Sequence, residues 1–284
     1  MKHLLKLEGM PSSAMEEILA SAEAIKAKRG GGEAKLLDGQ TWAMIFTKSS
    51  TRTRVSFEVG VRELGGSVMF LNANDMQLGR GEPIKDTARV LGRMVHGAVI
   101  RTYAQSDVEE FAEYSGIPTI NALTDDEHPC QILTDIFTFQ EQRGPIRGKV
   151  VTFVGDGACN VPVSWVHAAA ALDFELRIAA PVEFQPSAET LAKAGGHIVC
   201  TEDIRAAVEG ADMVYTDVWV SMGMEAEAEA RLAKLAGYQI NGGLMRLAKP
   251  DALVMHCLPA YRGKEIDAET FEAHAGTIFT QAEN

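Results

Sequence analysis

Short apolar runs alternate with longer amphipathic stretches along the whole chain. Brief runs rich in Val, Ile, Leu and Phe predict buried strands, and the stretches between them predict helices. The predicted strands lie at 41–46, 67–71, 97–102, 118–121, 149–154, 175–180, 197–200, 212–217 and 252–257. Strands that alternate with helices indicate parallel sheets covered by helices on both faces. The pattern therefore predicts an α/β fold.

Turn residues bound the helical segments. The predicted helices lie at 12–28, 54–64, 85–94, 107–115, 131–143, 161–172, 187–195, 203–209 and 267–273. Ser12 and Ser13 are expected to cap the first helix. The segment 55–64 also alternates in polarity, which would suit a strand, but its length and the Gly65-Gly66 stop favour a helix.

The strands and helices fall into two series. Residues 1–134 are expected to form one domain and residues 148–284 a second, with a linking helix at about 131–143. A chain of 284 residues is long enough for two domains with separate cores. In open parallel sheets, ligands bind beyond the carboxyl ends of the strands. The active site is therefore expected at such ends, in a cleft between the domains.

Composition narrows the class of protein. Hydrophobic residues make up 46% and charged residues 23%, which is typical of a globular protein. The net charge of −12 argues against a nucleic-acid partner. Between residues 46 and 101, however, nine Lys and Arg outnumber five Asp and Glu, which suits a local anion site. We find no apolar run long enough to span a membrane and no signal peptide. Four scattered cysteines favour the cytoplasm.

The run at 50–54, Ser-Thr-Arg-Thr-Arg, lies between a predicted strand and a predicted helix. Backbone N–H groups at a helix start and arginine side chains both bind phosphate oxygens, so the run predicts an anion site. An ordinary solvent-exposed loop is the alternative. Arg101 ends another strand. His128-Pro129-Cys130-Gln131 begins a helix, where a neutral His and a Gln could polarise a bound carbonyl group; an ordinary helix cap is the alternative.

Three further clusters follow strands of the second series. Gly155-Asp156-Gly157 lacks the third glycine of a dinucleotide-binding motif, so NAD binding is disfavoured. The run 217–223, Asp-Val-Trp-Val-Ser-Met-Gly, offers a carboxylate for an ammonium group. The run 256–259, His-Cys-Leu-Pro, adds a thiol, but its spacing lacks the paired ligands of a zinc site, and we expect no metal.

Together, these motifs resemble the aspartate/ornithine carbamoyltransferase family, and within it the ornithine branch. The matching motifs span nearly the whole chain: 46–54, Gln77-Leu78-Gly79, Arg101, 128–131, 217–223 and 256–259. The resemblance implies transfer of a carbamoyl group from carbamoyl phosphate to the side-chain amine of L-ornithine, without a cofactor. The first domain would then bind carbamoyl phosphate and the second ornithine.

The resemblance also implies roles for particular residues. Those expected to bind carbamoyl phosphate are Ser50, Thr51, Arg52, Thr53, Gln77, Arg101, His128, Gln131, Cys257 and Leu258. Those expected to bind ornithine are Asn160, Asp217, Ser221 and Met222. The expected catalytic residues are Arg52, Arg101, His128, Asp217 and Cys257. Gln77 would reach the site of a neighbouring subunit, which implies a homotrimer, and the loop 221–223 would close over ornithine.

Some positions depart from the family pattern. Thr47 stands where Glu is common, and Cys159 replaces the first of two Asn residues. The family usually continues beyond Asn284 with an Arg that helps bind carbamoyl phosphate and with a long helix. The missing C-terminal element leaves open a non-catalytic binding homologue. Two further alternatives are a carbamoyltransferase for putrescine or acetylornithine, against which Ser221-Met222-Gly223 argues, and an NAD-dependent dehydrogenase, against which the incomplete glycine motif argues.

Overall fold

The computed structural model describes residues 2–32, 35–72, 81–195, 197–220 and 225–284. The chain forms two compact units, Met1–Cys130 and Gln131–Asn284. Within the described residues, no helix combines the length and apolar character that crossing a bilayer requires.

The first unit contains a four-stranded parallel sheet. Its strands are β1 (Thr41–Phe46), β2 (Ser67–Asn72), β3 (Gly97–Arg101) and β4 (Thr119–Leu123), and its helices are α1 (Ser12–Lys26), α2 (Arg52–Glu63), α3 (Ile84–Leu91) and α4 (Gln105–Ser115). The strand order is β2-β1-β3-β4. Ala43 and Ile45 of β1 pack in one apolar cluster, and Met44 and Phe46 pack in another. Because side chains alternate along a strand, β1 is buried on both faces of the sheet.

The second unit contains a five-stranded parallel sheet. Its strands are β5 (Val150–Val154), β6 (Glu175–Ala179), β7 (Ile198–Thr201), β8 (Met213–Thr216) and β9 (Leu253–His256). Its helices are α5 (Pro129–Arg143, which begins at the unit boundary), α6 (Asn160–Leu172), α7 (Ala188–Ala194), α8 (Ile204–Val208), α9 (Ala228–Leu235), α10 (Gly242–Met245), α11 (Ala268–Ala273) and α12 (Ala275–Glu283), with 3₁₀ turns at Val182–Phe184 and Glu225–Glu227. The strand order is β7-β6-β5-β8-β9.

In each sheet, successive strands are added first on one side of a central strand and then on its other side. In the first unit, β2 and β3 lie on opposite sides of β1, and in the second, β6 and β8 lie on opposite sides of β5. The loops after the two strands at such a reversal point diverge and leave a crevice, which is where open α/β sheets bind ligands. Loops that follow β1, β3, β5 and β8 are therefore placed for binding.

The predicted α/β class with parallel sheets is confirmed, and each predicted strand occurs within a residue or two of its expected bounds. The predicted Ser12 cap is wrong, since Pro11 holds the N-cap position and Ser12 is already helical. The pattern also missed α10 and α12. Helix α10 has only four residues. Helix α12 contains Gly276, Thr277 and Thr280, which are weak helix formers, so the burial of Ile278 and Gln281 rather than propensity stabilises it.

Gly92→Ala should destabilise the first unit. A Cβ at this position would collide with the backbone carbonyl group of Ser115, which cannot move as a side-chain tip could. We expect a loss of about 1–3 kcal/mol, as for other overpacked sites. Gly60→Ala is the matched control, because Gly60 lies in α2 with open space around it, and it should stabilise by about 0.5–1 kcal/mol. Urea denaturation measures both; equal stability of the two variants would contradict the account.

Candidate active site

The turn after β1 is tied to the end of β3. The backbone N–H and the hydroxyl of Thr47 both donate to the carbonyl oxygen of Arg101, at 2.9 and 3.2 Å. Further along the turn, Ser50 Oγ accepts the Thr53 backbone N–H at 3.3 Å. Thr51 holds the N-cap position of α2. The turn predicted from the sequence as a strand–helix junction is therefore present, next to the strand that carries Arg101.

The arginines of this region differ in their surroundings. Arg101 is buried, and its Nη1 donates to Thr53 Oγ1 at 3.4 Å. Arg54 stacks on the Phe70 ring at 3.7 Å and lies 3.9 Å from the Glu58 carboxylate. Arg52 is exposed and makes no ion pair with any described residue. Arg52 is thus the exposed arginine at the start of α2 and Arg101 the buried one at the end of β3, whereas Arg54 is engaged in packing.

Lys48 links the turn to the loop that leads to His128. Its ammonium forms an ion pair with Asp125 and lies 4.4 Å from the centre of the Tyr103 ring. Lys48 is buried although its partner Asp125 is exposed. A buried ammonium needs such partners, because an unpaired charge would be costly to desolvate. Lys48 therefore acts as a structural brace between the loops after β1 and β4.

His128 is held as a neutral imidazole. Burial lowers the pKa of His128 to about 3, and the positive charge of Arg101 lowers it further in the same direction. A neutral imidazole can still donate one N–H, which suits stabilisation of an oxygen that gains negative charge. Pro129 is the first residue of α5, as the sequence predicted. The helix start therefore fixes the position from which His128 projects.

Glu127 was not recognised in the sequence, although it organises this loop. Its buried carboxylate accepts the backbone N–H groups of Leu7 and Glu8, at 2.6 and 3.2 Å. The backbone N–H of Glu127 donates to Thr124 Oγ1 at 3.1 Å. Burial raises the pKa of Glu127 to about 7, while the bonds from Leu7 and Glu8 oppose that rise. Glu127 thus attaches the N-terminal segment to the residue preceding His128.

In the second unit, the loop after β5 is closed by an ion pair. Asp156 and Arg231 are both buried and form a short ion pair, and Arg231 Nε also donates to the Trp219 carbonyl at 2.9 Å. A Cβ at Gly157 would lie 2.5 Å from Ile178 Cγ2, so packing against β6 requires this glycine. These contacts account for the Gly-Asp-Gly sequence without a dinucleotide. Asn160 is the first residue of α6, at the end of this loop.

Asp217 and Cys257 meet where β8 and β9 end. The ligand atoms of Asp217, His256 and Cys257 lie within 4.8 Å of one another. Asp217 Oδ1 accepts the Val218 N–H at 2.7 Å. Burial raises the pKa of Asp217, opposed by His256 and by the thiol of Cys257. Burial and the neighbouring Asp217 raise the pKa of Cys257 well above its ordinary value, so a thiol rather than a thiolate is favoured.

The ring nitrogens of His256 have partners other than a metal. Nδ1 accepts the Leu258 backbone N–H at 2.8 Å, so the proton of a neutral ring must lie on Nε2, which is 3.1 Å from Glu265 Oε1. Glu265 also accepts the Tyr261 N–H. The spacing of Asp217, His256 and Cys257 would suit a cation, but a ring with both nitrogens engaged cannot supply a ligand atom without losing these bonds. We therefore interpret the cluster as a hydrogen-bonded site.

The remaining residues predicted to bind substrate differ in their surroundings. Gln131 begins the second unit, and its Nε2 donates to Asp135 Oδ1 at 2.8 Å. Leu258 has a positive φ of 58° and packs against the core of the second unit. Gln77, Ser221 and Met222 lie outside the described residues. Sequence patterns missed Asp135, although its position four residues after Gln131 places both on one face of a helix.

Both halves of the chain match family models. Residues 2–141 match the carbamoyl-phosphate binding domain of aspartate/ornithine carbamoyltransferase, and residues 147–284 match its Asp/Orn binding domain. Among curated proteins, an ornithine carbamoyltransferase of Akkermansia muciniphila is 53% identical over 291 residues, covering 100% of this chain and 94% of the relative. One of Methylococcus capsulatus is 50% identical over 283 residues, with coverage of 100% and 94%.

Solved structures of ornithine carbamoyltransferases are also similar to this chain. An anabolic ornithine carbamoyltransferase from Campylobacter jejuni superposes with a TM-score of 0.92 at 42% identity, covering 99% of this chain and 94% of that one. An ornithine carbamoyltransferase from Pyrococcus furiosus superposes with a TM-score of 0.91 at 43% identity, covering 99% and 92%.

Glu127→Gln should flatten the pH dependence of stability. The pKa of Glu127 is about 7 in the folded protein against an ordinary 4.5, so between these values the folded state keeps a proton that the unfolded chain has released. Wild-type stability therefore falls as the pH rises through this window, and the variant lacks that component. Urea denaturation across the window measures the slopes, with the exposed Glu113→Gln as control. Parallel curves for wild type and Glu127→Gln would refute the assignment.

Proposed function

The chain belongs to the aspartate/ornithine carbamoyltransferase family, and on this premise we propose that its two crevices hold the two substrates of one transfer. The enzyme transfers the carbamoyl group of carbamoyl phosphate to the side-chain amine of L-ornithine, giving citrulline and phosphate. The observation that carries the site assignment is the turn after β1, where exposed Arg52 begins α2 and buried Arg101 donates to Thr53 Oγ1.

Carbamoyl phosphate binds at this turn in the proposal. Its phosphate lies on Ser50, Thr51, Arg52 and Thr53, with Arg101 adding a second guanidinium. Arginine suits the role because its planar donors match phosphate oxygens two at a time. Thr53, Arg101 and His128 face the carbamoyl oxygen. His128 contributes as a neutral donor, since burial and Arg101 lower its pKa to about 3.

Ornithine binds at the ends of β5 and β8 in the proposal. Asn160, Asp217, Ser221 and Met222 contact the amino acid, and Asp217 with Cys257 faces the side-chain amine. A buried carboxylate attracts an ammonium group strongly because little water screens the pair. The Cys257 thiol adds a contact without a second negative charge, since burial and Asp217 raise its pKa.

Chemistry proceeds by direct attack. The side-chain amine, having lost the proton of its ammonium form, attacks the carbamoyl carbon, and negative charge develops on the carbamoyl oxygen. The bond between that carbon and the phosphate oxygen breaks, and the amine nitrogen gives a further proton to the departing phosphate. Holding both substrates together supplies much of the rate acceleration. Arg101, His128 and Thr53 stabilise the developing charge because they are already oriented towards it.

The competing hypotheses are not favoured. The relatives named above are ornithine carbamoyltransferases, which supports ornithine over putrescine or acetylornithine as the acceptor. The Gly-Asp-Gly loop is explained by the packing of Gly157 on Ile178 and by the pair of Asp156 with Arg231, which removes the support for NAD. The names of the curated relatives support an enzyme over a non-catalytic homologue.

The substrate assignment predicts distinct defects for two variants. With carbamoyl phosphate present, citrulline should form from ornithine, with little product from putrescine or acetylornithine.

Arg52→Ala should lower kcat/KM for carbamoyl phosphate by about 100-fold, the scale of one lost charged donor. Asp217→Ala should mainly raise KM for ornithine. Arg62→Ala is the control, because exposed Arg62 lies on the same helix and pairs with Glu58.

Two outcomes would contradict this assignment. Absence of carbamoylated product from all three amines would refute the enzymatic function. Loss of carbamoyl phosphate binding in Asp217→Ala, with ornithine binding intact, would show that the two substrate sites are exchanged.

The site assignment extends to a homotrimer in which Gln77 completes a neighbouring subunit's site. Supporting this, α2 leaves Val55 and Val59 exposed by 55% and 38%. Val55 and Val59 are four residues apart and so share a helix face. Apolar residues grouped on one region of a surface are typical of protein interfaces.

Light scattering tests the assembly. The wild type should have three times the chain mass of 30.7 kDa. Val55→Asp combined with Val59→Asp should lower that mass, since burying unpaired carboxylates is costly. Val182→Asp, at an exposed position of the second unit, should leave it unchanged. A wild type of single-chain mass would refute the trimer.

The reaction is placed in the cytoplasm as part of the same proposal. Cys130, Cys159, Cys200 and Cys257 are all free and half-buried. Unpaired cysteines of this kind are typical of a reducing compartment.

A further inference from the structure

A buried network surrounds Asp135 in the second unit. Asp135 lies one turn after Gln131 on α5 and is completely buried. Its Oδ1 accepts Gln131 Nε2 at 2.8 Å and Gln281 Nε2 at 2.7 Å. Gln281, on α12, also donates to the Tyr215 hydroxyl at 3.2 Å. We call these residues, Gln131, Asp135, Tyr215 and Gln281, the Asp135 network.

The orientation of the Gln281 amide follows from its partners. Its Oε1 lies 3.0 Å from the backbone nitrogen of His256, which can only donate. The NH₂ group of Gln281 must therefore face Asp135 and Tyr215. Asp135 Oδ1 consequently acts as an acceptor, and α12 is joined through one side chain to the loop that begins at His256.

The orientation of the Gln131 amide follows in turn. Since Asp135 Oδ1 accepts, the Gln131 group that faces it is the NH₂ end. The carbonyl oxygen of the same amide is the end that Asp135 does not hold. An amide oxygen is an acceptor, and the NH₂ group of carbamoyl phosphate is a donor. A Gln131 amide turned by 180° would instead present a donor and could not bind that NH₂ group.

We propose that Asp135 is a positioning residue for carbamoyl transfer: it fixes the Gln131 amide with its oxygen available to the carbamoyl NH₂, and through Gln281 it couples that amide to the His256–Leu258 loop. This inference rests on the proposed function, which gives Gln131 the carbamoyl amide to hold. It adds a residue that does not itself touch substrate.

Burial of a carboxylate at this position is costly, which argues for a specific role. Desolvation raises the pKa of Asp135 to about 7, while hydrogen bonds from Gln131, Tyr215 and Gln281 oppose the rise and Asp217 adds to it. Asp135 Oδ2 has no hydrogen-bond partner among the described residues. An apolar residue would pack here without that penalty. Asp135 does what an apolar residue could not, since it accepts bonds from two glutamine amides at once.

A double-mutant cycle separates positioning from stability. Asp135→Ala should lower kcat/KM for carbamoyl phosphate about tenfold or more, the scale of losing a buried charged acceptor, while KM for ornithine changes less than about twofold. In a Gln131→Ala background, the same substitution should cost clearly less than in the wild type, because the amide that it positions is gone and only its bond to Gln281 remains. The cycle is measured on turnover and, by calorimetry, on carbamoyl phosphate binding.

Two further variants keep the test decisive if Asp135→Ala is unstable. Asp135→Asn retains an acceptor oxygen and should recover most of the lost kcat/KM. Thr138→Val is the structural control: Thr138 lies on the same helix and accepts a 2.8 Å bond from Asn284 Nδ2, so its loss should lower the melting temperature but leave kcat/KM unchanged.

The outcomes distinguish this inference from the proposed function. A wild type that makes no citrulline overturns the function itself. An active wild type in which Asp135→Ala costs as much with Gln131 absent as with it present overturns only the positioning role. A Thr138→Val variant with the same kinetic loss as Asp135→Ala would also overturn it, because general loosening of α5 would then explain both.

Discussion

The parallel arrangement of strands is the constraint on which the rest of the molecule depends. Every strand pairing described in both sheets is parallel, so the strand ends that carry chemistry meet at one edge of each sheet. At each reversal point a threonine hydroxyl joins the two ends concerned. Thr47 donates to the Arg101 carbonyl at 3.2 Å, and Thr216 donates to the Val154 carbonyl at 2.7 Å. Arg101 and Asp217 owe their positions to these junctions.

The two crevices differ in the sign of the charged groups that they contain. The first contains exposed Arg52 and buried Arg101 and keeps His128 neutral, so the imidazole can donate without adding charge. The second holds a carboxylate in a poorly solvated place, where burial raises the pKa of Asp217 and of the adjacent Cys257. Environments of this kind attract a phosphate and an ammonium group respectively. Their chemistry is therefore complementary to the two substrates of a carbamoyl transfer.

Sequence patterns predicted the strands and the turns that follow them because each depends on a short, continuous stretch of sequence. An apolar run followed by a hydroxyl-rich basic turn is visible along five residues at 50–54. The hydrogen bonds that hold the site-bearing loops in place were not predictable, because they join residues that are distant in sequence. Gln281 meets Asp135 across 146 positions, and Glu127 meets Leu7 across 120. Nothing in the local pattern of Asp135 distinguishes a buried acceptor from an ordinary helix-surface carboxylate, and the helix that carries Gln281 has weak intrinsic propensity.

The central claim is that the turn after β1 binds the phosphate of carbamoyl phosphate. A crystal structure with carbamoyl phosphate and L-norvaline, an ornithine analogue that lacks the attacking amine, tests it most directly. We expect phosphate oxygens at about 3 Å, a hydrogen-bond distance, from the guanidinium groups of Arg52 and Arg101, with the carbamoyl oxygen towards His128. A phosphate bound instead at the loop after β5, near Asp156 and Arg231, would contradict it.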